Sequence, residues 1–138
     1  MNRALLAGLA AAAIGCGVLV VRSRFIAVDV SGESMEPTLH AGDRVLVRRT
    51  PLRRVRRGQL VVFAPPPGLP AADSPPWLVK RLVALPGDAV PAVLGGDGLV
   101  PPGRFVALGD NAARSFDSRR AGYFPAESLL GVVVRTLR

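Results

Sequence analysis

Trp77-Leu78-Val79-Lys80-Arg81-Leu82-Val83-Ala84-Leu85-Pro86-Gly87-Asp88 is the stretch that decides how this chain folds. Trp77–Leu85 is rich in Val and Leu and reads as a long strand, and Pro-Gly-Asp is a turn that ends it. The same texture of short β-prone runs broken by Gly, Pro and Asp extends in both directions. Upstream, Phe25–Val30, Arg44–Val47 and Leu60–Ala64 read as strands, the last stopped by Pro65-Pro66-Pro67. Downstream, Ala89–Leu94 and Leu99–Val100 flank Gly95-Gly96-Asp97-Gly98 and predict a hairpin. Phe105–Leu108 and Leu129–Leu137 complete the set, while Gly68–Pro76 reads as a mobile Pro/Ala-rich loop. Eight or so strands without a long amphipathic helical pattern predict an all-β, compact antiparallel body over residues 25–138.

Composition agrees with many strands and turns. Apolar residues make up 49% and aromatics 5%, so the core must be built from Val, Leu and Ala; Gly 15 and Pro 13 supply turns. A lone Cys16 excludes an intrachain disulfide, and a lone His40 leaves no cluster of metal-ligand composition, so neither metal nor cofactor is expected. The net charge of +8 attracts anionic partners, most densely at Arg48–Arg57, where six arginines suit anionic lipid head groups or nucleic acid. No aromatic side chain is interleaved there for bases to stack on, which counts against nucleic acid. A solvated loop between two strands gives the same pattern.

Leu5–Val21 is a run of seventeen residues without a charge, about 25 Å long as a helix against a hydrocarbon core of about 30 Å. A cleaved secretory signal should end in small residues, yet this run continues through Leu19, Val20 and Val21 into Arg22. A lipoprotein signal ending at Ala13-Ile14-Gly15-Cys16 lacks the polar tether expected after the cysteine. An uncleaved single-span anchor over residues 1–24 fits best. Arg3 and the α-amino group nearly balance Arg22 and Arg24, so the flanking charges leave its orientation open.

Seventeen arginines accompany one lysine, Lys80. A GC-rich genome depletes lysine without any functional cause. Lysine, however, loses its proton when desolvated, and arginine does not. A free lysine of pKa about 10.4 is neutral in only a few molecules in ten thousand at pH 7. Burial among Trp77, Val79 and Leu82 lowers that pKa, and strand alternation turns Arg81 to the opposite face. A nucleophile for such an amine stands in Ser31-Gly32-Glu33-Ser34-Met35-Glu36-Pro37-Thr38-Leu39, where Ser34 follows a glycine and precedes a proline, although a plain Ser/Gly/Pro turn has the same composition. His40, six residues on, is the other candidate base, in a His-Ala-Gly-Asp turn typical of a surface.

SGESMEPTL, VKRLVALPGD and Gly109-Asp110-Asn111-Ala112-Ala113-Arg114-Ser115-Phe116-Asp117-Ser118-Arg119 together resemble, in order, the three main boxes of type I signal peptidases. The resemblance covers most of the chain from Phe25 onward. It implies a Ser/Lys dyad in which Ser34 is nucleophile and Lys80 base, with Ser115 orienting the amine. Asp117 and Arg119 match a structural ion pair, and Asp110 matches a partner for Arg81. Met35 and Pro37 are implied to lie near substrate. The Ser34 N–H would be one oxyanion donor; where some relatives carry a second, a serine hydroxyl, this chain has Gly32. Only 28 residues separate Lys80 from Gly109, too few for the extra β domain of larger members, which implies a near-minimal catalytic core.

The expectation is therefore a serine endopeptidase that cleaves signal peptides from exported preproteins. It would be held in the cell membrane by a single pass, with its catalytic body extracytoplasmic. Preprotein signal peptides and the lipid bilayer are the expected partners, nucleic acid is not, and no oligomeric state is implied. Short relatives also resemble dedicated maturation peptidases, such as those trimming a nickel superoxide dismutase precursor. A self-cleaving repressor would need a DNA-binding domain where the apolar run stands. A non-catalytic β module binding anionic surfaces through Arg48–Arg57 would survive Ser34→Ala and lose binding in salt.

Overall fold

The uncharged run winds into a single helix, α1 (Arg3–Arg24), with no buried residue. It is longer than the apolar run because Arg22 and Arg24 join its last turn, where cationic side chains suit the carbonyl end of the helix dipole. At 22 residues it reaches about 33 Å, a bilayer core's thickness. Its apolar window has a mean hydropathy of 2.5. Leu5, Leu9, Ile14 and Leu19 are exposed along it, so no protein core covers this apolar surface.

The computed structural model describes residues 2–68 and 76–137. Most of the Gly68–Pro76 loop read from the sequence, residues 69–75, lies outside that description. Among the described residues the body is a seven-stranded sheet: β1 (Phe25–Asp29), β2 (Arg44–Arg49), β3 (Leu60–Phe63), β4 (Leu78–Ala84), β5 (Arg104–Leu108), β6 (Phe124–Pro125) and β7 (Leu129–Leu137). Its order is β1-β2-β7-β3-β4-β5-β6, and every neighbouring pair is antiparallel. The all-β class with one N-terminal apolar helix is thus the observed architecture.

Strand alternation sorts the core onto two faces. Val45, Val47, Val62 and Val79 join Val28, Val30, Met35 and Leu39 in one cluster. Val61, Phe63, Leu78 and Leu82 join Phe105, Phe124 and Val132 in the other. Three phenylalanines interlock in the second, with ring centroids 4.6 to 5.8 Å apart. A sheet so scarce in aromatics places most of those it has in one spot, and valines fill the rest.

Two local readings are corrected. Ala89–Leu94 forms no strand: one bridge joins Ala89 to Leu99, and Ala92–Leu94 turns into a 3-10 helix. Pro91 has no N–H for a ladder, and Gly95 at φ +70° stops the helix in a left-handed conformation. A short helix, α2 (Ser118–Ala121), also forms where no helix was expected, capped by the Asp117 carboxylate.

Candidate active site

Ser34 sits in the loop between β1 and β2, whose base is closed by Val30 N–H to Asp43 O (2.8 Å) and Gly42 N–H to Val30 O (2.9 Å). Met35 and Leu39, both buried, pin the loop into the first core cluster and leave Ser34 half-buried at its rim. Gly32 has φ +81°, a conformation that glycine adopts without strain. Pro37 is exposed. Met35 is 1% exposed and lines the cleft beside Ser34 from below. Among the described residues the Ser34 N–H has no protein acceptor, which leaves it free for a ligand oxygen.

Lys80 stands at the middle of β4, paired with Val61 of β3. It is 3% exposed. Its Nζ lies 2.7 Å from Ser34 Oγ as donor, and 3.2 Å from Val79 O. Burial pulls its pKa down from 10.5 to about 8, opposed by the negative charge of Asp117. About a tenth of the molecules then carry the neutral amine at pH 7, a few-hundredfold more than for a free lysine. Trp77, Leu78, Val79, Val30 and Met35 line the cleft around the pair.

Asp117 is fully buried. Its Oδ2 accepts from Ser115 Oγ (2.6 Å), Gly109 N–H (2.8 Å) and Arg119 Nη1 (2.9 Å), and its Oδ1 from Arg119 N–H (3.0 Å). The proton of Ser115 therefore goes to Asp117, not to Lys80, and no hydrogen bond joins Ser115 to the amine. The lone pairs of Ser115 Oγ stay available as acceptors. The role that the resemblance implied for Ser115, orienting the Lys80 amine, calls on its oxygen as acceptor and is compatible with this bond to Asp117.

Arg81, one residue along β4, points the other way. Its guanidinium forms a two-pronged pair with Asp110, Nε to Oδ1 at 2.8 Å and Nη2 to Oδ2 at 2.6 Å, and its Nη1 donates to Gly58 O. Thr38 Oγ1 donates to the same carboxylate (2.6 Å). That shared pair holds the Asp110 carboxyl below, and the Arg81 guanidinium above, its usual range. Asn111 completes the tie: its N–H donates to Ser34 O (3.0 Å) and its amide to Glu33 O (3.1 Å). The loop after β5 thus grips the serine loop at Glu33, Ser34 and Thr38. Sequence reasoning singled out none of Thr38, Gly109 or Asn111, although Gly109 and Asn111 lay within the quoted third box. His40 is exposed, its N–H engaged by Asp43 Oδ2 (2.9 Å), and takes no part.

Next to this pair is a second hollow of about 570 Å³, lined by Ala27, Val28, Asp29, Ser31, Pro76 and Trp77. Among the described residues β1 pairs only with β2, so its other edge offers unpaired backbone groups to this hollow. The arrangement is a hydroxyl, a dry amine and a free N–H at one end of an open strand edge.

The profile of the family described as signal peptidase, peptidase S26, matches residues 2–99 and 90–137 of this chain. A probable signal peptidase I-2 from Synechocystis sp. is 34% identical over 86% of the chain, which spans 64% of that protein. A signal peptidase I from Leptolyngbya laminosa is 31% identical over 88% of the chain and 71% of its own length. The mitochondrial inner membrane protease subunit 1 of Schizosaccharomyces pombe is 36% identical over 69% of the chain and 62% of its own length. The chain thus spans roughly two thirds of the relatives it matches.

Proposed function

The chain belongs to the signal peptidase family of S26 peptidases, and from that premise we propose that it is a membrane-anchored serine endopeptidase cleaving signal peptides from exported preproteins. Residues 1–24 are the anchor, residues 25–138 the peptidase body, and the body faces the extracytoplasmic side. The contact of 2.7 Å between Lys80 Nζ and Ser34 Oγ carries the reading, because it joins a hydroxyl to an amine whose burial favours its neutral form.

The neutral amine accepts the Ser34 proton as Oγ attacks the scissile carbonyl carbon. The negative oxygen of the tetrahedral intermediate takes the Ser34 N–H. As the C–N bond breaks, the Lys80 ammonium returns its proton to the leaving amine, and Ser34 holds the acyl group as an ester. Water, deprotonated by the same amine, then attacks the ester and frees both the carboxylate and Ser34. The substrate lies extended on the open edge of β1, adding backbone hydrogen bonds there while its side chains enter the hollow at Ala27 and Trp77. The preference for small residues follows from the family.

Purified full-length protein in detergent, given preproteins with an Ala-x-Ala site, should cleave them. Ser34→Ala and Lys80→Ala should each abolish turnover, and Lys80→Arg should be equally inactive because guanidinium stays protonated. Substantial cleavage by Lys80→Ala removes the lysine from the reaction. In cells depleted of the protein, mass spectrometry should find many uncleaved exported precursors; a single accumulated precursor would instead mark a dedicated maturation enzyme.

A further inference from the structure

We propose that the arginine-lined hollow where α1 meets the sheet is a binding site for the phosphate of an anionic phospholipid head group. Arg24, Arg48, Arg49, Arg53, Arg54 and Arg56 surround a cavity of about 610 Å³. None of them shares a residue with the Ser34–Lys80 cleft.

Local structure explains why so many like charges converge. Leu52–Arg54 is a 3-10 helix, in which side chains three apart share a face. Leu52 and Val55 pack into the second core cluster, which turns Arg53, Arg54 and Arg56 outward. Thr50 Oγ1 donates to Arg48 O (2.8 Å) and shapes the turn that sets this segment beside the end of β2. On the other side, Phe25 pairs with Arg48, so the last helical residue, Arg24, is brought against Arg48 and Arg49.

Six arginines around one hollow make it a region of positive potential that draws anions. The ion pairs of the described residues engage Arg44, Arg57, Arg81, Arg114 and Arg119, and none of the six. Guanidinium forks match phosphate oxygens two at a time, so a phosphate is the anion this lining fits. The choice of lipid over free phosphate rests on the reading of α1 as a membrane span. A helix of bilayer length ending at Arg24 sets the hollow at head-group level. No aromatic side chain lines it for stacking bases, which disfavours single-stranded nucleic acid.

The test uses full-length protein in dodecyl maltoside, titrated with dihexanoylphosphatidylglycerol, dihexanoylphosphatidylcholine, inorganic phosphate and a short oligonucleotide. Phosphatidylglycerol should bind at least tenfold tighter than the other three. Combining Arg53→Gln, Arg54→Gln and Arg56→Gln should weaken it on the order of a hundredfold, from about fivefold per arginine at a membrane surface. These exposed side chains should leave the thermal midpoint and cleavage of a soluble peptide unchanged. Equal binding of the two lipids, unaltered binding in the triple variant, or tighter binding of phosphate or oligonucleotide each overturns the site. Resistance of the protein to carbonate extraction from membranes, measured in parallel, reports on the span separately.

Discussion

Lys80 trades stability for reactivity. A pKa of about 8 in place of 10.5 means that the folded protein holds the ammonium form at a cost of roughly 3 kcal/mol relative to water. The sign of its pH dependence follows. With the neutral amine as the proposed active form, kcat/KM should rise about tenfold per pH unit up to pH 8 and level off above it. Asp117 raises this pKa through its charge, so Asp117→Asn should move the inflection to lower pH, whatever it costs in stability. Initial rates across pH 5 to 10 on a soluble peptide measure both; an inflection that stays put in the variant removes Asp117 as a perturber. A solitary lysine in an apolar run and a serine in a Gly/Pro turn drew notice in the sequence on local grounds, but only the resemblance of the three boxes paired them, and the structure places Lys80 Nζ 2.7 Å from Ser34 Oγ. Thr38 and Asn111 drew no such notice, since their value lies in partners far along the chain, Asp110 and Glu33.

The loop between β5 and α2 ties down the Ser34 turn through Asn111 N–H to Ser34 O and so helps β4 set the distance between the proposed nucleophile and base. Gly109 is its tightest point: a Cβ there would collide with the Ser115 side chain and come within 2.6 Å of Ser34 O, a backbone atom that cannot step aside alone. Gly109→Ala should therefore displace the Ser34 turn, and a misplacement of about 1 Å costs on the order of a hundredfold in kcat. The thermal midpoint should fall as well, because the buried Ser115 side chain must also shift, while KM should change far less than kcat; kinetics alongside a melting curve would show both. A large fall in the midpoint with kcat intact would make Gly109 a packing residue only. At this scale the strands were read well from β propensity and turn residues, with Leu129–Leu137 matching end to end. The hairpin around Gly95 was misread because Pro91 outweighs the neighbouring valines. α2 was missed because four residues carry no periodicity, and its cap is legible only once Asp117 is known to be buried.

For the whole molecule, the decisive feature is that α1 passes into β1 with no linker: Arg24 ends the helix and Phe25 already pairs with Arg48. On the proposed reading of α1 as a membrane anchor, the strand that offers its open edge to the hollow follows the helix without a break, which would keep the cleft close to the membrane surface. A precursor whose apolar segment still lies in the bilayer can present its cleavage site only over a narrow range of heights. Holding the body in that range by the proposed anchor would replace a search in three dimensions by one in a plane. Inserting six Gly/Ser residues between Arg24 and Phe25 leaves every strand pair intact but frees the body to tumble. Such a chain, reconstituted in vesicles, should cleave a membrane-inserted preprotein about tenfold more slowly and a soluble peptide at the original rate, since only the former depends on the tether. Equal losses on both substrates would show that the insertion had damaged β1, and no loss on either would show that the direct junction carries no positional role.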